Sequence, residues 1–340
     1  MGTNPLGTET LDLLIVGAGP TGLACGIEAQ RAGLRFLILD KACLVHSLFR
    51  DPPPMVFFTS RELLEIGEMP FPSVNVKPLR EEALEYYRKV TEHFRLPLHL
   101  YEKVQSIEGT DGDFRVSTED RKGQPHCYRT RKVALATGYY DLPNPLNVPG
   151  QDLPKVSHYY TGPYAFYGQR VAVIGGANSA ADAALDLYRH GAEVTLIHRH
   201  KELSSSIKYW VKPDIENRIK EGSIQARWES QVTKIVPDAV HIENAEGKAE
   251  CLANDFVFAL VGYHPDADFL RQAGVEVNSE TLRPQCDSET LESNVPGIYL
   301  GGVILAGAKT NEIFIENGRF HGKQIVGDLK RKLGPVDQSG

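Results

Sequence analysis

Short apolar runs recur along the chain, each followed by a glycine-rich turn and a stretch with helical periodicity. The first run is LDLLIV (11–16), the helical stretch after it is TGLACGIEAQRAG (21–33), and a second apolar run ends at Asp40. The same order returns with apolar runs at 171–174 and 194–197. Apolar runs this short, bounded by glycine, are typical of strands buried in a parallel sheet. The pattern predicts an α/β chain built from two strand–turn–helix–strand units.

The rest of the pattern predicts smaller elements around these units. Residues 78–94 have the period of an amphipathic helix. Three alternating segments predict a small antiparallel layer, at 98–109, 113–120 and 124–138. Residues 311–333 predict one helix with a basic last turn, followed by a frayed tail. A proline-rich stretch around residue 145 predicts the exit from the first domain.

Composition narrows the class of protein. The chain has 340 residues, a length that fits about two domains. Its net charge is −7, which argues against general nucleic-acid binding because phosphate contacts need clustered lysine and arginine. No apolar window approaches the length of a membrane span, and the first residues lack the features of a signal peptide. We therefore expect a cytoplasmic protein with no membrane partner.

The cysteines do not form a recognisable redox or metal motif. The chain has five cysteines, an odd number, and no two of them form C-x-x-C. This pattern argues against a disulfide scaffold and against a redox pair that is local in sequence. No zinc motif occurs either, so we expect no metal site. The cysteines are Cys25, Cys43, Cys127, Cys251 and Cys286.

The first unit carries a dinucleotide fingerprint. Gly17, Gly19 and Gly22 form G-x-G-x-x-G between an apolar run and a helix, and Asp40 follows 23 residues after Gly17. The three glycines suit a tight turn, close backbone approach to a pyrophosphate, and close packing of helix on strand. Asp40 is suited to accept hydrogen bonds from a ribose diol. The alternative is an ordinary tight turn in an unrelated α/β protein.

The second unit has a related turn but a different charge. Its sequence, Gly175-Gly176-Ala177-Asn178-Ser179-Ala180, replaces two glycines by alanine, while Asn178 and Ser179 offer donors or a helix cap. No acid ends the following strand; the basic run 198–201 stands there instead. A guanidinium fork matches a 2′-phosphate, so the run favours NADPH over NADH, the alternative being a solvated basic turn. Together the turns predict a flavin-dependent oxidoreductase that binds FAD first along the chain and NADPH second.

With these features the chain resembles the two-dinucleotide-binding flavoproteins of thioredoxin reductase type, and within them the bacillithiol disulfide reductase-like branch. The resemblance covers roughly residues 11–330 and is carried by GAGPTGL, ALATGYYD, VIGGANSAADAALDL, SSSIKYWVKPDIE, DFVFALVGYHPD and IFIENGRFHG. It implies two Rossmann-like dinucleotide-binding domains: a discontinuous FAD domain (1–145 and 292–340) and an NADPH domain (146–291). It also implies that hydride passes from NADPH to FAD, and electrons then pass to a small-molecule or small-protein acceptor such as bacillithiol disulfide.

The fingerprints and the resemblance together assign binding residues. Val104 would contact the adenine of FAD through its backbone, and Thr137 with Gly138 would lie beside the flavin. The full FAD set is Gly17, Gly19, Pro20, Thr21, Gly22, Asp40, Lys41, Val104, Thr137, Gly138 and Gly302. The NADPH set is Gly175, Gly176, Asn178, Ser179, Arg199 and His200.

Three departures from the family pattern bear on the acceptor. The NADPH domain lacks the C-x-x-C of thioredoxin reductases, and Val303 stands where related flavoproteins commonly have aspartate. Thr21 stands where the bacillithiol branch carries a cysteine, and a hydroxyl cannot act as a redox thiolate. We expect Thr21 to cap the helix or to bind the FAD pyrophosphate. Cys25 and His158 are the candidate catalytic residues, although packing is favoured for Cys25 and a surface or hinge role for His158.

Two other functions remain open at this point. The segment VPGQDLPKVSH (148–158) loosely resembles a segment of flavin-dependent monooxygenases. A non-catalytic redox-sensing protein that binds FAD and NADPH as ligands is the second alternative, and it is compatible with Thr21 and Val303. The acceptor, a redox role for any cysteine and the oligomeric state are not determined by the sequence.

Overall fold

The computed structural model describes residues 10–310 and 312–333. The strands are β1 (Leu11–Val16), β2 (Phe36–Asp40), β3 (Leu98–Leu100), β4 (Glu102–Thr110), β5 (Asp113–Asp120), β6 (Pro125–Leu135), β7 (Leu142–Pro143), β8 (Val156–Ser157), β9 (Arg170–Ile174), β10 (Glu193–Ile197), β11 (Gln225–Arg227), β12 (Ser230–Val236), β13 (Ala239–Asn244), β14 (Ala249–Ala253), β15 (Phe256–Ala259), β16 (Tyr263–His264) and β17 (Ile298–Leu300). The helices are α1 (Pro20–Arg31), α2 (His46–Arg50), α3 (Arg61–Leu64), α4 (Arg80–Phe94), α5 (Asn178–Arg189), α6 (Lys212–Lys220), α7 (Ala267–Gln272), α8 (Ile315–Gly318) and α9 (His321–Leu333), with 3₁₀ turns at Tyr164–Phe166 and Gly302–Ala306.

The first sheet joins a parallel layer to an antiparallel meander through one long strand. Its order is β3-β2-β1-β6-β5-β4, and β17 also pairs with β6. The first half of β6 pairs antiparallel with β5, and its second half lies parallel between β1 and β17. Since parallel strands end at one edge of a sheet, the carboxyl ends of β1, β2, β6 and β17 lie together.

Helices cover one face of this sheet and fix the loops above it. Tyr86 and Tyr87 of α4 are fully buried, and their hydroxyls donate to the carbonyls of Met69 and Leu64 at 2.8 and 2.9 Å. The C-terminal α9 packs so closely on α1 that a Cβ at Gly322 would lie 2.6 Å from the Cα of Cys25. Close packing of this kind leaves room only for glycine in α9 at that point.

The second sheet repeats the parallel plan on a smaller scale. Its order is β11-β10-β9-β15-β8, with all described pairs parallel, and α5 packs against β9 and β10. A three-stranded antiparallel sheet, β12-β13-β14, follows it. The short strands β7 and β16 pair with each other and connect the segment after β6 with the segment after β15. Among the described residues, no helix is long and apolar enough to cross a membrane.

The predicted α/β fold with two Rossmann-like units is confirmed, and the differences are local. The single strand predicted at 98–109 breaks at Tyr101, which takes a φ of +58°, so that β3 joins the parallel layer and β4 begins the meander. The single helix predicted at 311–333 divides into α8 and α9, and the side chain of Arg319 between them donates to the carbonyls of Glu62 and Glu65. The predicted frayed tail lies outside the described residues, and the domain boundaries at 145 and 292 stay a prediction.

Candidate nucleotide-binding site

Two glycines of the first turn are required by the packing of the protein itself. Gly17 has a φ of +113°, and a Cβ on it would lie 2.3 Å from the carbonyl oxygen of Ala136 at the end of β6. A Cβ on Gly22 would lie 1.9 Å from the carbonyl oxygen of Gly17. Both distances are far below contact, so each side chain would displace backbone. These glycines let α1 start directly against the strand ends.

Gly19 is different, because no atom of the described residues packs close enough to require a glycine at this position. A Cβ on Gly19 would meet nothing within 4 Å among the described residues, and Gly19 is the N-cap of α1 with no side-chain hydrogen bond to the cap. The first backbone N–H groups of this 12-residue helix lack intrahelical partners and carry partial positive charge. An open approach to such donors fits a pyrophosphate, which is the group that the glycine pattern predicts.

Asp40 ends β2 beside this turn. Its Oδ2 accepts from the N–H of Ala18 at 2.7 Å, and its Oδ1 accepts from the N–H of Ala42 at 2.8 Å. Burial raises the pKa of Asp40, while the two N–H groups oppose that rise. A carboxylate has further lone pairs on both oxygens, so it can still accept from a diol. Lys41 forms an ion pair with Asp141, at 2.9 Å between Nζ and Oδ2.

The other residues predicted for FAD lie around the same strand ends. Thr137 and Gly138 follow β6, and a Cβ on Gly138 would lie 3.7 Å from Ser47 Oγ of α2. Val104 lies in β4, which contacts β2, and its side chain is buried at a register shift. The structure therefore gathers the first turn, Asp40 and Gly138, while Val104 offers only its backbone.

Thr21 is enclosed by glycines rather than capping the helix. It follows Pro20 inside the first turn of α1, whereas the N-cap is Gly19, so the predicted capping role of Thr21 is wrong. A Cβ on Gly302 or on Gly318 would lie 3.0 or 3.1 Å from Thr21 Oγ1. Among the described residues its hydroxyl has no hydrogen-bond partner. The alternative role, binding a pyrophosphate, stays a prediction.

His321 orders the glycine turn that faces Thr21, a role that the sequence did not indicate. The N–H of Gly302 donates to His321 Nδ1 at 2.9 Å. Burial lowers the pKa of His321, so the ring is neutral and its Nδ1 can accept. Val303, which replaces the aspartate expected in related flavoproteins, follows in the 3₁₀ turn. The first residue of α9 thus fixes the backbone of Gly302.

The second turn is built similarly but is more enclosed. Gly175 has a φ of +143°, and a Cβ on it would lie 2.4 Å from the carbonyl oxygen of Leu260. A Cβ on Gly176 would lie 2.3 Å from the ring of His198. A side chain at position 176 therefore needs the His198 ring to move. Ala177 is the N-cap of α5 and, like Gly19, has no side-chain hydrogen bond to the cap.

Asn178 organises a neighbouring segment instead of standing free at the turn. Its Nδ2 donates to the carbonyl of Ser206 at 3.0 Å, and its Oδ1 accepts from the N–H of Lys208 at 2.9 Å. The N–H of Ser204 also donates to the carbonyl of Gly176 at 2.8 Å. Asn178, predicted to donate or cap at the NADPH turn, thus has both amide atoms bonded to the protein, whereas Ser179 has no hydrogen-bond partner for its hydroxyl in the described part of the chain.

The basic run presents one unpaired guanidinium. Burial lowers the pKa of His198, and the positive charges of His200 and Arg199 lower it further. Arg199, His200 and Lys201 are exposed, and Lys201 lies 3.8 Å from Glu229. No carboxylate within residues 10–310 and 312–333 forms an ion pair with Arg199. Its fork is therefore available to an anion at the end of β10.

Comparison with known proteins agrees with this geometry. A family model described as pyridine nucleotide-disulphide oxidoreductase matches residues 14–302, which include both turns. The chain belongs to this family. It is 41% identical to the bacilliredoxin reductase Bdr of Bacillus subtilis (strain 168), over 94% of this chain and 97% of that protein.

Among the pyridine nucleotide-disulphide oxidoreductases, solved structures of bacillithiol disulfide reductases are highly similar to this chain. The bacillithiol disulfide reductase Bdr (YpdA) from Bacillus cereus has a TM-score of 0.93 and 40% identity, over 95% of this chain and 100% of that chain. The same enzyme from Staphylococcus aureus has a TM-score of 0.91 and 39% identity, over 96% and 100%. The resemblance to the bacillithiol disulfide reductase-like branch is confirmed, as is the prediction of a flavin-dependent oxidoreductase that uses a pyridine nucleotide.

His158, one of the two candidate catalytic residues, directly follows β8, the edge strand of the second sheet. Its Nδ1 lies 3.2 Å from the carbonyl of Ala259, so Nδ1 carries the proton, and its own carbonyl accepts from the Tyr263 hydroxyl at 2.6 Å. Both contacts tie the end of β8 to β15 and β16. These bonds favour a structural role at the connection between the two sheets, and the catalytic role stays a prediction.

Cys25, the candidate nucleophile, is packed between α1 and α9. Its side chain is buried, and burial, with the charge of Glu28, raises the pKa of the thiol to about 12. A thiol with such a pKa is almost entirely protonated at neutral pH and is a poor nucleophile. Packing, the role that the sequence favoured, accounts for this cysteine.

We therefore expect Cys25 to resist alkylation in the native protein and to be dispensable for turnover. Iodoacetamide should modify the exposed Cys127 and Cys251 and leave Cys25 unmodified until the protein unfolds, as read by mass spectrometry of the peptides. Cys25→Ala should keep its flavin and its rate with NADPH. Labelling of Cys25 as fast as of Cys127 would contradict this expectation.

Asp51, which the sequence did not single out, lies where the two units meet. It is the C-cap of α2, and its N–H donates to the carbonyl of Ser47 at 3.1 Å. Burial raises the pKa of Asp51 to about 7, opposed by the charges of Arg80 and Lys208 and by the Tyr140 hydroxyl. Lys208 comes from the segment held by Asn178, so this carboxyl faces both units.

The raised pKa of Asp51 makes stability depend on pH. The folded chain holds this proton more tightly than the unfolded chain, whose aspartate pKa is about 3.9. Stability is highest below that value and falls as the pH rises through about 7. Relative to Asp51→Asn, the wild type should lose about 2 kcal/mol between pH 5 and pH 8. Thermal unfolding of both apoproteins at the two pH values measures this loss. If the stability difference between wild type and Asp51→Asn is the same at pH 5 and pH 8, the raised pKa of Asp51 is refuted.

Proposed function

We propose that the chain is an NADPH-dependent FAD oxidoreductase that reduces a low-molecular-weight disulfide of the bacillithiol disulfide class. The names of its relatives support this class of acceptor. The observation that carries the cofactor assignment is the contrast between the turns. A carboxylate stands at the end of β2, and an unpaired guanidinium stands after β10. These groups suit a ribose diol and a 2′-phosphate respectively.

The residues present fit FAD at the first turn. The N-terminus of α1 would hold the pyrophosphate, with Gly19 leaving its approach open, and Asp40 would accept from the ribose. Gly138 and Gly302 would border the flavin, since they follow the strand ends of β6 and β17. In this proposal the discontinuous FAD domain comprises 1–145 and 292–340 around the NADPH domain.

The second turn would hold NADPH. Arg199 would bind the 2′-phosphate bidentately, His200 would flank it, and the N-terminus of α5 would face the pyrophosphate. Gly175 and Gly176 would keep that helix start close to the strand ends. Asn178 would act through the segment 204–208, since its amide is already bonded to that segment.

When bound, the flavin would accept hydride from the nicotinamide and deliver two electrons to the acceptor. The balance is NADPH + H⁺ + RSSR → NADP⁺ + 2 RSH. This route uses no protein disulfide, because Thr21 has no thiol and the thiol of Cys25 is protonated and buried. The chain's own part is to position both nucleotides and to exclude wrong ones. We place the reaction in the cytoplasm, with a small protein disulfide as the competing acceptor.

Anaerobic titration of the purified yellow protein tests the proposal. NADPH should bleach the flavin absorbance in stopped flow much faster than NADH, and bacillithiol disulfide should then restore the colour with two thiols released per NADPH. Equal rates with the two nucleotides, or a colourless protein that does not bind FAD, would end the cofactor assignment. A long-lived flavin hydroperoxide band in air would favour a monooxygenase. Tight nucleotide binding without turnover would favour a redox sensor.

A further inference from the structure

A lysine of the first unit is clasped by aromatic rings of the second. The ammonium of Lys77 lies 3.7 Å from the ring centroid of Trp210 and 5.0 Å from that of Tyr209. Phe58, from the first unit, completes the cluster at 5.3 Å from Lys77 and 5.9 Å from Trp210. We call these four residues the aromatic clasp. Ammonium groups over tryptophan make the strongest contacts of this kind.

The first unit holds its half of the clasp on paired backbone. The N–H of Phe57 donates to the carbonyl of Pro78 at 2.9 Å, and Val56 forms an antiparallel bridge with Leu79. The N–H of Arg61 donates to the carbonyl of Val76, also at 2.9 Å. Phe58 and Lys77 are therefore presented side by side by a rigid pair of segments rather than by one loose loop.

The second unit holds its half on the segment that touches the second glycine turn. Residues 204–208 bond to Gly176 and Asn178, as described above, and Ile207 and Val211 anchor the segment in the core. The N–H of Val211 donates to the carbonyl of Lys208 at 2.9 Å, which fixes Tyr209 and Trp210 in a tight turn. A shift at the clasp is thus transmitted over a few residues to the turn.

Charge and exposure indicate that the clasp is more than incidental contact. Lys77 has no ion pair with any described carboxylate, so the rings are its partners. Phe58 and Tyr209 are 60% and 73% exposed, yet the rings of both contact the ammonium of Lys77. Lys208, 7% exposed, adds a second link, since it pairs with Asp182 of α5 at 3.0 Å and also faces Asp51 of the first unit.

We propose that Lys77 is a positioning residue for the pyridine nucleotide: by clasping Trp210 it holds the segment 204–210 in the form that completes the second nucleotide turn. The inference rests on the proposed function, because it takes the second turn as the pyridine nucleotide site. Ser205 and Ser206 of this segment are exposed and carry hydroxyl donors. The carbonyl of Ser206 accepts from Asn178, and its hydroxyl shares a hydrogen bond with that of Ser204. Preorganising such donors removes an ordering cost from binding.

The linkage has to act in both directions. If the clasp favours nucleotide binding, nucleotide binding tightens the clasp by the same factor. Loss of one ammonium–ring contact at this partly exposed place should weaken NADP⁺ binding about twofold to fivefold. FAD retention should not change, because among the described residues no hydrogen bond joins the first turn, residues 17–22, to the segment 204–210.

The experiment compares Lys77→Met with Lys77→Arg in the yellow holoprotein. Lys234→Met, an exposed lysine of β12 without a ring contact in the described residues, is the matched control. NADP⁺ is the probe, because it binds without transferring hydride, and its Kd is measured by calorimetry. Trp210 emission is the second readout, identified by subtracting the signal of Trp210→Phe. Circular dichroism and flavin content verify that each variant is folded.

The expected result is a raised NADP⁺ Kd in Lys77→Met, restored in Lys77→Arg and unchanged in Lys234→Met. NADP⁺ should also change Trp210 emission in the wild type, and change it less in Lys77→Met. The proposal is overturned if NADP⁺ binds the wild type and Lys77→Met with the same Kd. It is also overturned if adding NADP⁺ to the wild type does not change the fluorescence emission of Trp210. If NADP⁺ does not bind the wild type at all, both the proposed function and the role of Lys77 are overturned. Equal binding by the wild type and Lys77→Met overturns only the role of Lys77, so the two outcomes are distinguishable.

Discussion

Replacing Gly22 with alanine is expected to prevent stable folding, whereas replacing Gly19 with alanine is expected to leave the fold intact and remove FAD. At Gly22 the added Cβ would lie 1.9 Å from the carbonyl oxygen of Gly17, so α1 must move off the strand ends. Overpacking of this severity costs more than about 3 kcal/mol. At Gly19 the methyl meets no protein atom within 4 Å, so stability should change by less than about 1 kcal/mol.

The methyl of Gly19→Ala would instead occupy the approach of a pyrophosphate to the helix N-terminus. We expect FAD affinity to fall by roughly 100-fold or more, about 3 kcal/mol. Flavin content after gel filtration and thermal unfolding of the apoprotein separate the two effects. Gly327→Ala, where a Cβ also meets nothing among the described residues, is the control; it should leave the flavin content unchanged and stabilise α9 by at most about 1 kcal/mol. If the Gly19→Ala variant is purified yellow and with normal stability, the assignment of the first turn to the FAD site is contradicted.

Arg199→Ala is expected to abolish the preference for NADPH over NADH. The guanidinium has no carboxylate partner in the described residues, so its removal leaves no buried charge and should not disturb the fold. Charge-assisted hydrogen bonds contribute about 1.5–3 kcal/mol, so kcat/KM with NADPH should fall roughly 10- to 100-fold, while the value with NADH stays constant.

Stopped-flow bleaching of the flavin by each nucleotide measures this discrimination. Arg189→Ala, which removes an exposed arginine of α5 that is already paired with Asp214, is the matched control. It should leave the ratio of NADPH to NADH unchanged. Equal losses with both nucleotides in Arg199→Ala would mean that the arginine does not read the 2′-phosphate.

The sequence predicted those parts of the molecule whose causes are local. The strand at 11–16, the glycines of the first turn and the acid at Asp40 lie within one unit of about 30 residues. Hydrophobic period and glycine spacing are sufficient there, because β1, α1 and β2 pack on one another within the unit. The α/β fold followed from repeating that unit.

What the sequence missed depends on distant partners. Asp51 is an ordinary charged residue in sequence, and its raised pKa depends on burial between two units. The sequence assigns Gly176 to the NADPH site but does not reveal that the ring of His198 packs against it. Lys77 and Trp210 lie far apart in the chain, so the periodic pattern of hydrophobic residues could not predict their contact. The capping role predicted for Thr21 failed because the helix begins earlier, with its N-cap at Gly19, two residues before Thr21.

The pairing of β17 with β6 also sets an order of events during synthesis. The second sheet has all its described strands once residue 259 has left the ribosome, but the first sheet lacks β17 until residue 300 and its covering α9 until later still. The half of the protein made first is therefore completed last. During that interval, the side of α1 that carries Cys25 lacks the helix that shields it, and chaperones or oxidants would meet it there.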